Sequence, residues 1–360
     1  MTKGTGTENT MPDNQQERAA YYAKIAKRDV SALWTTRLVP PLPKDAVKAV
    51  PHLWDFDNVL RPTLFEAGPL ITAHEANRRV LTLENPGLGG SHRILDSLYA
   101  GLQMLLPGEC APAHKHSPSA LRFVIEGKGG GWTAVSGEKS YMNPGDFVIT
   151  PSDTWHDHGH DGDGPYFWMD GLDIPMVGIF GAMFFENYPE DRAPLKRPSG
   201  DSLARYGANM RPVNESWSKP ESPIFSYPYD RSREALEQLR KNNEWDPFAG
   251  LKLTYIDPTT GGSAMPTISA FLQLLPKGFR TEAYQTTENT VFSPVEGRGR
   301  LILGEGEARQ TIPWKPRDIF AVPCWVPYSL EAEEDAVLFS YSDRVAQQKL
   351  GIWRERRGNA

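Results

Sequence analysis

The stretch Ser97–Gly130, SLYAGLQMLLPGECAPAHKHSPSALRFVIEGKGG, decides how the rest of the chain is read. Short apolar runs in it are separated by Pro-Gly and Gly-Gly turns, the mark of successive strands. Its pattern returns downstream. At an offset of 170, Ala100, Leu102, Gln103, Leu105 and Gly108 fall on Ala270, Leu272, Gln273, Leu275 and Gly278, while Glu126, Gly127 and Gly129 fall on Glu296, Gly297 and Gly299. At an offset of 172, Pro144, Asp146 and Pro151 fall on Pro316, Asp318 and Pro323. So many matches with a two-residue slip indicate two copies of one β domain.

Working outward, the repeat predicts an all-β chain with two small antiparallel barrels of the jelly-roll type and an N-terminal helical arm. The expected divisions are an arm over 1–77, a first barrel over 78–190, a connecting segment over 191–264, a second barrel over 265–345 and a tail over 346–360. Residues 1–14 are polar and read as disordered. Residues 15–34 read as an amphipathic helix, and Pro40, Pro41, Pro43 and Pro51 as an extended arm. One helical run is expected near Ser232–Asn243, and WRERR, ending at Arg357, reads as a solvated tail.

Composition excludes several classes of function. The chain has 360 residues, 39 basic and 45 acidic, for a net charge of −6, so it offers no broad cationic face to a nucleic acid. No apolar run approaches the length of a membrane span, and the first residues lack the apolar core of a secretory leader. The two cysteines, Cys110 and Cys324, lie far apart. A disulfide framework is not expected, and the reading is a reducing cytoplasm.

The histidines are unevenly placed. All eight (His52, His74, His92, His114, His116, His156, His158 and His160) lie within the first 160 residues. Under the repeat, His114 and His116 correspond to Tyr284 and Thr286, and His156 to Tyr328. One copy has a polar cluster that the other lacks. His114 and His116 are two apart, so on a strand they share a face. His156, past the DFVITP strand, returns to the same barrel mouth. Three neutral imidazoles leave a divalent ion with open positions, the catalytic rather than the structural arrangement. The second barrel is expected to bind no metal.

Of His158 and His160, one is expected beside the ligands in a proton-handling role, and His160 reads as a loop residue. His52, His74 and His92 read as surface or loop histidines. Only one of the adjacent Arg78 and Arg79 faces inward on a strand. Arg122, six residues past His116, starts the next strand. An inward arginine beside a cation calls for an anion, which is either a substrate carboxylate or, in an ordinary ion pair, a carboxylate of the barrel. Asp170 reads either as orienting a histidine next to the metal ligands or as a turn aspartate before Gly171.

Gly108-x5-His114-x-His116 and Gly145-x5-Pro151-x4-His156 resemble the two halves of the cupin signature. The pattern departs at three points. Ala120 and Leu121 stand where a ligating glutamate is usual, Asp153 replaces a glycine, and His160 replaces an asparagine. HKHSPSALRFVIEGKG, ITPSDTWHDHGH and DGLDIP, with NPGLGG, SPIFSYPYDRSREALE and MPTISAFLQLLPKG, are similar to gentisate 1,2-dioxygenases. These belong to a bicupin group that also holds salicylate and 1-hydroxy-2-naphthoate dioxygenases.

The resemblance implies one Fe(II) per chain, in the first cupin, on His114, His116 and His156. It implies substrate contacts from Arg78, Arg122, Tyr99 and Gln103. His158 matches a histidine near the reacting oxygens, and Asp170 matches its supporting acid. Gentisate and O2 would give maleylpyruvate, in a cytoplasmic homotetramer whose N-terminal arm packs on a neighbour, with no nucleic acid or membrane partner. Salicylate or 1-hydroxy-2-naphthoate cleavage stays open as an alternative substrate. A non-catalytic metal-dependent binding module and a zinc or manganese isomerase or hydrolase stay open as alternative classes.

Overall fold

The computed structural model describes residues 14–36, 38–41, 43–304 and 309–358. The expectation of disorder over 1–14 lies, apart from Asn14, outside the described residues. Residues up to Ala46 form one unit and Val47 onward another. In the first unit, helix α1 (Gln15–Ala26) buries none of its residues and is shorter than the run of apolar spacing suggested. Trp34 Nε1 donates to Tyr22 Oη at 3.1 Å within this unit. Among the described residues no helix is long and apolar enough to cross a membrane.

The second unit carries the repeat. Its first barrel has strands β1 (Tyr99–Leu105), β2 (Cys110–His116), β3 (Ala120–Glu126), β4 (Gly131–Val135), β5 (Glu138–Tyr141), β6 (Phe147–Thr150), β7 (His156–His160) and β8 (Tyr166–Leu172). The second has β9 (Ser269–Leu275), β10 (Tyr284–Thr286), β11 (Thr290–Glu296), β12 (Gly299–Leu303), β13 (Gln310–Trp314), β14 (Ile319–Val322), β15 (Tyr328–Ala332) and β16 (Ala336–Ser342). The sheets run β6-β3-β8-β1 and β2-β7-β4-β5 in the first barrel, and β14-β11-β16-β9 and β10-β15-β12-β13 in the second. The order is the same in both, as the sequence repeat requires.

Edge strands complete the correspondence. Val80–Thr82 lies on β1 and Leu251–Thr254 on β9; Phe185–Asn187 lies on β2 and Glu355–Arg357 on β10. The connecting segment supplies Ser226–Tyr227 to β6, whereas the early strand His52–Trp54 lies on β14 of the second barrel. WRERR therefore differs from its reading as a tail: Glu355–Arg357 pairs with Tyr284–Thr286. Four charged side chains in a row, Arg354 to Arg357, hide a strand from composition, but an open sheet edge accepts their backbone.

The β6-β3-β8-β1 sheet packs on β14-β11-β16-β9. This explains why β3 is buried along almost its whole length instead of alternating. Leu121, Phe123 and Ile125 join a core shared with Phe339 and Tyr341, and Val124 faces Trp168 inside its own barrel. The Phe123 and Phe339 rings stack with centroids 4.0 Å apart. Gly171 is obligatory in this layer, because a Cβ there would lie 2.8 Å from the Tyr341 ring.

The turn before β6, Asn143–Asp146, needs a left-handed residue after its proline. Gly145 supplies it at φ +90°, while the second barrel holds Arg317 there at φ +76°. Arg317 is tied down by Asp57 at 2.8 Å and Glu126 at 3.4 Å.

Candidate metal centre and substrate pocket

β2 and β7 are neighbours, and their register sets His114 opposite His156. His116, two residues on, shares the face of His114. The three buried rings bring one nitrogen each to within 4.8 Å of the others. Each Nδ1 is held by a backbone carbonyl two residues away: His114 by Pro112 at 2.7 Å, His116 by Pro118 at 2.7 Å and His156 by Thr154 at 2.8 Å. With the proton on Nδ1, every Nε2 lone pair is free, and all three Nε2 atoms are buried without a hydrogen-bond partner. Burial, reinforced by the Arg78 guanidinium, lowers the pKa of His114 to about 2 and that of His116 to about 4. Burial holds His156 well below its ordinary value. Neutral imidazoles with orphaned, converging acceptors fit a divalent metal.

The pocket beside them holds about 360 Å³ and is lined by Arg78, Tyr99, Gln103, His116, Arg122 and Asp170, with Phe184 and Phe185 at its mouth. Arg78 has no carboxylate oxygen within 4.0 Å among the described residues; its Cζ lies 5.5 Å from the Phe185 ring. Burial lowers its pKa, opposed by Asp170. Arg79 points the other way, pairing with both oxygens of Glu109. Alternation thus selects Arg78 as the inward cation.

Arg122, 2% exposed, donates to Thr150 Oγ1, and its Nε lies 3.4 Å from Asp170 Oδ1 across the β3–β8 pair. Burial brings the Arg122 pKa down to about 10 against the pull of Asp170, and burial raises that of Asp170. Tyr99 Oη lies 3.3 Å from Thr82 Oγ1, and Gln103 Nε2 is buried with no partner.

His158 is fully buried, its ring centroid 6.4 Å from that of His114. Its Nδ1 lies 2.8 Å from Thr133 Oγ1, which itself donates to the Asp157 carbonyl at 3.3 Å. The hydroxyl proton being committed there, His158 Nδ1–H is the donor and its unpartnered Nε2 an acceptor. The expected support from Asp170 is therefore corrected. Asp170 accepts from Trp168 Nε1 at 3.0 Å and faces Arg122, and Thr133 orients His158 instead. β4–β7 register places Thr133 opposite His158, and register is not visible in either strand alone.

His160 is also corrected. It ends β7, is 1% exposed, and its Nε2 meets the Gly164 carbonyl at 2.7 Å, away from the metal ligands. His52 sits on an edge strand against Trp54, His74 lies 3.3 Å from Asp191, and His92 pairs with Glu84 at 2.8 Å. Phe185 was not anticipated: its ring stacks on His114 at 5.2 Å. It follows a short helix with no periodic signal of its own.

Residues 101–174 match the cupin domain family. The chain is 56% identical to gentisate 1,2 dioxygenase 1 of Aquipseudomonas alcaligenes, over 96% of this chain and 98% of that relative. The chain belongs to the gentisate 1,2-dioxygenase family. Among other family relatives, the 5-aminosalicylate 1,2-dioxygenase of a Comamonas species is 32% identical over 96% of this chain and 91% of its own. The crystal structure of salicylate 1,2-dioxygenase from Pseudoaminobacter salicylatoxidans in its gentisate adducts superposes with a TM-score of 0.88 at 34% identity, covering 98% of this chain and 97% of that one. The bicupin fold and the ring-cleaving dioxygenase activity are those of this family, and its three-histidine centre takes a metal cofactor.

Proposed function

We propose that the chain cleaves gentisate with O2 to give maleylpyruvate, using one Fe(II) per chain held by His114, His116 and His156. The reading assigns 78–190 to the catalytic cupin, 191–264 to the connection and 265–345 to a metal-free cupin. The observation that carries it is the convergence of three unpartnered Nε2 atoms beside a pocket lined by His116 and the unpaired Arg78. Iron supplies the one-electron chemistry that couples O2 to an electron-rich ring.

The chain's own residues do the rest. Arg78 and Arg122 receive the substrate carboxylate, and Asp170, 3.4 Å from Arg122 Nε, restrains that guanidinium. Gln103 offers a buried amide, and Tyr99 lines the pocket with a hydroxyl that suits the extra ring hydroxyl of gentisate. His158, with an acceptor Nε2, takes a proton from a ring hydroxyl. Phe184 and Phe185 limit water at the mouth. Atoms balance with both oxygens entering the product as the ring bond between the carboxyl- and hydroxyl-bearing carbons breaks.

Relatives and the 56% identity support gentisate over salicylate. Exposed Ile179 and Phe180, at 81% and 76%, support burial in a homo-oligomer, which we take as a tetramer in the cytoplasm. The test is anaerobic loading with Fe(II), then O2 uptake with a panel of aromatic acids. Gentisate should consume one O2 per ring. Turnover of salicylate without gentisate would replace the substrate, and full activity with zinc alone would remove the dioxygenase mechanism.

A further inference from the structure

The second barrel keeps a cavity where its twin keeps the pocket. It holds about 620 Å³, with Phe271, Gln273, Tyr284, Tyr328, Lys252 and Arg344 among its walls. Gln273 is the repeat partner of Gln103. Lys252, opposite Gln273 on the edge strand beside β9, stands where Val80 stands opposite Gln103 beside β1. A cation thus enters each barrel from the same edge strand: Arg78 just ahead of Val80 in one, Lys252 in the other.

The other charges in this cavity are matched. Arg344 pairs with Glu288 at 2.7 Å, and Arg357 with Asp246 at 2.9 Å; the remaining wall carboxylate, Glu244, is exposed. Lys252 has no carboxylate oxygen within 4.0 Å among the described residues. Its Nζ lies 4.5 Å from the Phe271 ring centroid, and Arg344 Cζ lies 5.4 Å from the same centroid. Burial, with Arg344 nearby, pulls the Lys252 pKa down to about 8. Gln273 is 2% exposed, donates its Nε2 to Ala249 O at 2.7 Å, and leaves Oε1 with no partner.

A half-buried ammonium paired with no carboxylate and a buried acceptor without a donor are each unfavourable, and both are relieved by one ligand of the right shape. We propose that this cavity binds a small aromatic carboxylate, with the carboxylate on Lys252, the ring against Phe271 and a ring hydroxyl donating to Gln273 Oε1. The aromatic walls provide the contact area and Lys252 the polarity. The site is separate from the metal centre and requires no metal.

The test uses the full chain, iron-loaded and anaerobic, with 4-fluorobenzoate as probe and fluorine NMR to count bound molecules and their affinity. Arg122→Met should retain one bound probe per chain. Lys252→Met and Lys252→Gln should each weaken that site at least about tenfold, while Lys252→Arg keeps it and ring cleavage is unchanged in all three. Thermal midpoints at or above that of the unsubstituted protein would show that the loss is not unfolding. Probe binding to both uncharged variants as tightly as to the unsubstituted protein overturns the proposal, and so does an Arg122→Met protein that binds none.

Discussion

Where β2 faces β7, His114 lies opposite His156; at the same point of the second barrel, where β10 faces β15, Tyr284 lies opposite Tyr328. The backbone frame is shared, strand for strand. What differs is what the inward side chains ask of it. In the first barrel each imidazole is anchored through Nδ1 and presents a bare acceptor. In the second, Tyr284 is fully engaged: it accepts from Arg344 at 2.9 Å and donates to Glu355 at 3.0 Å. A barrel can therefore exchange these histidines for tyrosines without losing its shape, because the sheets are held by apolar layers and backbone pairing.

That comparison can be broken in order of expected effect. His156→Ala should lower turnover at least about a thousandfold and reduce bound metal toward zero. Tyr328→Phe should leave both unchanged; a fall in bound metal in that variant would give the second barrel a share of the ion. Phe339→Ala strikes the layer common to both barrels, and urea unfolding should report a loss of about 3–5 kcal/mol in a single transition. Two separate transitions would show that the barrels fold independently. On the proposed reading of Arg122 as a substrate donor, Arg122→Met should cost about a hundredfold in kcat/KM with metal retained.

Smaller effects sharpen the contrast. In metal-free protein, the folded-state pKa values of His114 and His116 lie below the ordinary 6.5, at about 2 and 4. The unfolded chain therefore binds more protons as pH falls below about 6.5, and stability must fall with it. Urea midpoints should drop between pH 6.5 and 4, and the slope should lessen in a His114→Gln, His116→Gln variant. Least of all, Gly145→Ala should cost about 1–3 kcal/mol, from left-handed strain and a Cβ 2.6 Å from the Tyr229 ring. Arg317→Gly at the matching turn should change thermal stability by under about 0.5 kcal/mol, because relief of strain offsets the lost ion pairs.

Much of this was legible in the residues. Gly, Pro and short apolar runs announced strands, the offsets of 170 and 172 announced two barrels, and the confinement of histidine to the first 160 residues singled out one of them. The i, i+2 spacing of His114 and His116 put them on one face. The histidine–tyrosine exchange between copies marked which barrel takes the metal. These follow from local rules, strand alternation and turn chemistry, that act over a few residues.

Other features lay beyond that range. Which residue orients His158 depended on β4–β7 register, and Thr133, not Asp170, stands opposite it. His160 read as a loop residue because polar neighbours conceal a strand that is buried on both sides. The pairing of Glu355–Arg357 with β10, the stacking of Phe185 on His114 and the unmatched charge of Lys252 all join segments far apart in the chain. The sequence by itself determined the repeated barrel and the identity of the metal-seeking donors, because those are set by residue type and spacing. Only the tertiary structure decided which polar groups end with partners and which are left open, because that depends on which strands meet, in what register, once water has been excluded.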